Sequence, residues 1–425
     1  MSAADHAREN ATHPEGLDYE ITNPVAAPRL GRVEFTAMIA MLMATVAFSI
    51  DAMLPALPEI GATLSPADPT RAQLVVTSFV LGMGLGTFFT GPLSDAFGRK
   101  PVVLGGVALY LLATLAAWST TSLEGLLFTR VLMGIAAAGP RVVAVALVRD
   151  LYKGRVMAQM MSFIMVIFSL VPALAPSVGY YIIAGFGWRA VFLALMGFAL
   201  FSGGWLLLRQ PETLSPAARR PLKVATLAAA VREMFAHQTA RTSILIQTLS
   251  LGMLFTVVSS VQMIFDVTFG RGDEFHLWFG GIALLAASAS VLNARIVMRL
   301  GMRAIIRAAF RAQIVISGLL VAAVALQLPE PWLFPVFVFW TWSNFFQLGL
   351  TIGNLNALAM EEMGHIAGVA ASVISAVSTV GAVFIAAPLG LMFDGTPLPM
   401  AAGIGLCAVL ALWLSRYIHR PGDPA

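Results

Sequence analysis

The chain has 425 residues, of which 58% are hydrophobic and 11% charged, with a formal net charge of +4. A soluble domain carries about 25% charged residues, so there is too little charge here to cover a water-facing surface of this size. With a mean hydropathy of +0.83, the composition excludes an ordinary soluble enzyme. Its scattered bases read as membrane topology, against a nucleic-acid partner.

Residues 1–33 are polar and mixed in charge and lack an apolar run, which predicts a disordered cytoplasmic tail and no secretory signal. Apolar segments follow at 35–57, 73–93, 102–119, 124–148, 158–184, 190–208, 242–267, 276–297, 303–327, 332–358, 366–391 and 398–418. Crossing the hydrocarbon takes about 20 apolar residues. The expected fold class is therefore an all-α integral membrane protein with twelve transmembrane helices. Placing both termini in the cytoplasm puts 20 of the 26 Lys/Arg on the inner side and three, Arg71, Arg189 and Arg271, outside.

The basic segment 209–241 separates two six-helix halves, 34–208 and 242–418, and 419–425 forms a second cytoplasmic tail. Two equal halves suggest a duplication in which each half moves as a body. The loop after span two reads GPLSDAFGRKP and the loop after span eight reads VMRLGMRAI. Gly98 and Lys100 correspond to Gly301 and Arg303, whereas Asp95 has become Met298.

Asp51 lies inside the first span, ahead of Pro55 and Pro58. A carboxylate at that depth must face a cavity or a partner, and one that can be protonated suits a proton carrier. Burial and a nearby arginine would act on its protonation in opposite senses, so substrate or conformation could switch it. The plainer alternative is an acid that caps the proline break.

Arg130 in span four sits at a matching depth and is the expected counterpart of Asp51. Arg141, eleven residues on, shares nearly the same helix face. It reads equally as a substrate contact or as a residue that snorkels inward.

Gly91, Asp95, Gly98, Arg99 and Lys100 set an acid and two bases in a loop too short to do more than turn. Asp95 would pair with a base at a neighbouring inner end, such as Arg149 beside Asp150, and latch one conformation. Pro172 and Pro176 would bend span five.

In span ten, Trp340, Asn344, Gln347, Thr351 and Asn354 recur at helical spacing on one stripe. Span seven offers Ser259, Gln262 and Asp266. Such stripes face protein or water, as a substrate wall or as interhelical glue. Gly82 and Gly86, four apart, read as a close helix approach. Cys407 reads as a packing residue. The six histidines lack ligand spacing, and no nucleotide, metal or catalytic motif is present, so neither enzyme chemistry nor a cofactor or metal is expected.

The segment 91–100 resembles the major facilitator superfamily motif G-x-x-x-D-x-x-G-R-[RK]. Ser49–Pro58, Arg130–Pro140 and Arg149–Tyr152 look like the bicyclomycin/chloramphenicol-type drug/proton antiporters within it. Ala175, Pro176 and Gly179 are similar to that group's antiporter signature, with Ala175 where glycine is usual.

The resemblance implies a monomeric secondary transporter of the bacterial inner membrane, exporting small hydrophobic molecules in exchange for protons, with the proton gradient as energy source. An exporter or importer of a metabolite such as an amino acid or organic anion, to which Arg130 and Arg141 would also suit, is the alternative. A non-transporting membrane receptor is a more remote one.

Overall fold

The computed structural model describes residues 30–219, 224–361 and 363–418; most of the tail expected over 1–33, and all of 419–425, lie outside them. The described residues are helical almost throughout. The long elements are α1 (Arg32–Asp51), α2 (Leu57–Leu64), α3 (Leu74–Phe97), α4 (Arg99–Ser119), α5 (Leu123–Leu151), α6 (Gly154–Phe186) and α7 (Arg189–Arg209). After α8 (Val224–Ala236) come α9 (Gln238–Met263), α10 (Phe275–Leu300), α11 (Met302–Ala325), α12 (Glu330–Met360), α13 (Ala367–Leu391) and α14 (Leu398–Leu414).

Among the described residues, eleven helices are long and apolar enough to cross a membrane, α1 and α2 counting as one. Eleven of the expected twelve spans meet this description. Every predicted apolar segment is helical, the first with a break described below, and α12 has 31 residues. Its Asn, Gln, Ser and Trp residues dilute its hydropathy, and it is not among the eleven. The 209–241 segment contains α8, which packs against α9 and α13.

The first span is not continuous. α1 ends at Asp51, a 3-10 turn covers Leu54–Ala56, and α2 resumes at Leu57. Pro55 and Pro58 lack the N–H groups a regular helix would use. At the break the amide of Ala52 bonds to the Phe48 carbonyl (3.1 Å) and that of Met53 to the Ile50 carbonyl (3.3 Å). The Ser49 carbonyl between them is passed over by the backbone.

Glycines bring α3 and α5 into backbone contact. A Cβ on Gly82 would lie 2.0 Å from the Val131 carbonyl oxygen, and one on Gly134 would lie 2.1 Å from that of Phe79. Small residues let membrane helices approach this closely.

Gly98 joins α3 to α4 at φ +107°, and Gly301 joins α10 to α11 at φ +77°. L side chains rarely adopt either conformation. The equivalence of these two glycines in the sequence is thus matched by two similar corners.

α3 packs along α13 and α6 along α10. Gln73, just before α3, is buried among α3, α9 and α13. It accepts from the Ser260 hydroxyl (2.5 Å) and donates to the Met263 sulfur (3.4 Å). Gly390 of α13 leaves room for its oxygen. His276 stacks on Tyr180 of α6 at 4.2 Å, and the Ala173 carbonyl meets Gly280. By contrast Phe163, Val166 and Leu170 in the first half of α6 are exposed.

Candidate functional site

Asp51 is the last residue of α1 and is buried, at 6% exposure. It makes no hydrogen bond or ion pair with any described residue. Arg130 on α5 is completely buried. Its Nη2 donates to the Ser49 carbonyl (2.9 Å) and its Nε to the Val75 carbonyl of α3 (3.1 Å). The guanidinium also lies 4.5 Å from the centroid of the Phe79 ring, a cation–π contact.

Arg130 is therefore not ion-paired with Asp51, as the sequence suggested. It takes the carbonyl that the helix break frees two residues before Asp51. A guanidinium has more donors than these two bonds use, and Nη1 is buried with no partner.

Two further contacts fix this region. The Ser49 hydroxyl donates to the Thr45 carbonyl, which leaves Tyr110 of α4 to donate to Ser49 Oγ (2.5 Å). On α6, a Cβ at Gly179 would lie 2.2 Å from the Ala52 carbonyl oxygen. Glycine here seats α6 directly on the break that follows Asp51. Pro172 and Pro176 stay inside one continuous α6. Arg141 is part-buried and reaches α3, with Nη1 3.3 Å from the Met83 sulfur. Both arginines thus face α3, as their spacing on α5 predicts.

The 91–100 motif builds a separate cluster at the other end of α3. Arg99 bonds Asp95 and Ser94 Oγ (2.7 Å), and its Nε donates to Asp150 (2.9 Å). Thr213 also donates to Asp150 (3.1 Å). The partner of Asp95 is Arg99, one turn away, rather than Arg149, which is exposed and unpaired among the described residues. Lys100 donates to the Leu207 carbonyl (2.8 Å). Gly91 lies against Ser372 of α13.

Sequence reasoning missed Glu212. Its carboxylate accepts from the backbone amides of Arg99 and Lys100 (both 3.0 Å) and of Thr213 and Leu214 (both 2.9 Å). A helix start exposes four unpaired N–H groups, and Gly98 has no side chain to cap them. That gap was the available signal for an acceptor from elsewhere in the chain. Glu212→Ala is expected to cost about 1–2 kcal/mol of stability. A lowered melting midpoint in detergent checks this.

The polar stripe of α12 divides between several neighbours. Trp340 is fully buried and donates to Ser317 of α11 (3.0 Å). Asn354 donates to Asn293 of α10 (2.8 Å). Gln347 and Thr351 bond each other (3.0 Å). The amide of Asn344 donates to the Trp340 carbonyl (2.8 Å), but its Oδ1 is buried without a partner. On α9, Ser259 bonds the Thr256 carbonyl (3.2 Å), and Gln262 Oε1 is buried without a partner. A π-helical turn over Ile264–Thr268 carries Asp266 to an exposed position, away from that stripe.

A family model described as the Major Facilitator Superfamily matches residues 37–387. The chain is 29% identical over 381 residues to the bicyclomycin resistance protein homolog of Haemophilus influenzae, covering 89% of this chain and 94% of that protein. It is 32% identical over 232 residues to the multidrug resistance protein MdtL of Escherichia coli, covering 53% of this chain and 56% of that one. Among solved structures it resembles a D-xylose-proton symporter with a TM-score of 0.73 and 15% identity, over 91% of this chain and 98% of that one.

Proposed function

From the premise that the chain belongs to the Major Facilitator Superfamily, and is a multi-pass membrane transporter rather than an enzyme, we propose that it exchanges protons for small hydrophobic compounds across the bacterial inner membrane. The relatives named for resistance to bicyclomycin and to multiple drugs support efflux of such compounds. In this reading α12 supplies the twelfth span, both termini are cytoplasmic and the protein works as a monomer. Residues 34–208 and 242–418 are the moving halves, joined by 209–241.

The observation that carries the reading is Asp51: a buried carboxyl group at a helix break, without a hydrogen bond or ion pair among the described residues. An intramembrane acid with no fixed partner costs little further to protonate. A structural acid would instead be tied into a cap. Arg130 braces the break through the Ser49 carbonyl, so a shift of α5 against α1 changes the field at Asp51 without breaking a direct ion pair.

Arg141 and Asn344 bring polar groups near mid-length of α5 and α12, Gln262 brings one close to the end of α9, and the orphan oxygens of Asn344 and Gln262 suit a hydrogen-bonding solute. Trp340, Gln347, Thr351 and Ser259 support that wall through their own bonds. Packing at Gln73 and along the later half of α6 supports an arrangement closed at the outer end and looser at the inner one.

Asp51→Asn is expected to abolish solute-driven proton movement in proteoliposomes while leaving downhill solute binding measurable. Wild-type exchange by that variant would sink the proton-carrier role.

A further inference from the structure

At the end of the bundle that carries the Gly301 corner lies a cavity of about 260 Å³, bordered by Arg307 and Arg311 of α11, by Leu412 near the end of α14, and by Ser415 and Arg416 in the 3-10 turn that follows it. Arg307 Nη2 donates to the Ser415 carbonyl (3.2 Å), across 108 residues of sequence. Its Nε is buried with no partner. Arg311 and Arg416 make no ion pair with any described residue. The nearby carboxylate of Glu361 is held by Arg303 (3.3 Å). Three guanidinium groups from α11 and the turn after α14 thus converge on one space with no described acid among them.

Topology asks for bases on the inner side of a membrane protein. It asks neither for a cavity between them nor for their convergence from distant segments. Guanidinium groups recognise phosphate oxygens through paired N–H donors, and basic pockets between membrane helices on the cytoplasmic side take anionic lipid headgroups.

The surface beside the cavity has the matching chemistry. Val315 and Leu319 follow Arg311 at successive helical turns, 61% and 60% exposed. On α14, Leu406 and Trp413 are 60% and 50% exposed. α11 and α14 pack together, so these residues flank one seam that rises from the arginines. A free phosphate ion would have no use for that apolar seam.

We propose that this arginine-walled cavity seats the phosphate of an anionic glycerophospholipid, whose acyl chains lie along the exposed apolar faces of α11 and α14. Lipid bound there ties α14 to α11 and so stiffens this part of the bundle.

The test is native mass spectrometry of the purified full chain with phosphatidylglycerol or phosphatidylcholine. Each basic side chain near a membrane surface favours an anionic lipid about fivefold. The wild type is therefore expected to prefer phosphatidylglycerol strongly, and the triple variant R307Q/R311Q/R416Q to retain almost none of that preference. R295Q/R299Q, which removes two α10 bases from outside the cavity, should keep it. Arg416→Gln alone, which breaks no described hydrogen bond, should lose about fivefold and carries the test if the triple variant does not fold. Absence of a preference, or equal loss in the α10 control, overturns the site. Displacement of the lipid by excess inorganic phosphate would overturn the lipid assignment in favour of the free ion.

Discussion

Arg130→Gln is expected to stop transport and to lower stability by about 3–6 kcal/mol, the loss of two charge-assisted hydrogen bonds. The side chain is wholly buried and holds two carbonyls on two different helices. One of them, on Ser49, has no backbone donor because the helix ends there. Hydrogen bonds to a charged group contribute about 1.5–3 kcal/mol each, and shortening the side chain leaves both carbonyls without that donor. Arg130→Lys is not expected to rescue, since one ammonium lacks the planar fork that reaches both carbonyls. Solute counterflow together with a detergent melting curve checks both effects. Counterflow at the wild-type rate in Arg130→Gln would remove Arg130 from the mechanism.

The second large effect is expected at Gly179. Alanine there places a carbon 2.2 Å from the Ala52 carbonyl oxygen, with the Ala52 carbonyl carbon at 3.0 Å. Neither atom can move aside as a flexible side chain would, because both are backbone. α6 must then lift from the break beside Asp51. Overpacking of this kind costs about 1–3 kcal/mol, and valine exceeds that. The expected result is folded Gly179→Ala protein with transport severely reduced, and little folded Gly179→Val. Gly185→Ala on the same helix is the control. No atom lies within 4 Å of the added carbon, and helix propensity favours alanine by about 1 kcal/mol. Equal loss of transport in the control would show that α6 tolerates no added bulk anywhere.

Much of the architecture was legible because membrane helices announce themselves by length and apolarity. The polar stripe of α12 was readable for the same reason that it lowers that helix's hydropathy: five polar or amphipathic residues recur at helical spacing. Asp51 and Arg130 stood out because ionisable groups are rare at that depth.

The links between these groups were not legible. The partner of Arg130 is a backbone carbonyl, and carbonyls are the same at every position until a break such as that after Asp51 frees one. Asp95 was expected to reach for another segment, yet Arg99 lay one helical turn away. Glu212 caps a helix that begins 113 residues earlier, a separation no local pattern records. Gln73 and Ser260, 187 residues apart, are each unremarkable polar residues until the packing of α3 against α9 brings them together.

The Gln73 contact also bears on turnover. One amide joins the ends of α3 and α9, with a hydroxyl on its oxygen and a thioether sulfur, a weak acceptor, on its nitrogen. No charge is involved, so parting these groups and wetting them costs about as much as the bonds return. A buried ion pair at the same place would make separation expensive and could hold the molecule in one state. In the proposed exchange cycle, a neutral clasp of this kind adds little to the free-energy difference between closed and parted forms, which leaves that difference to the solute and the proton.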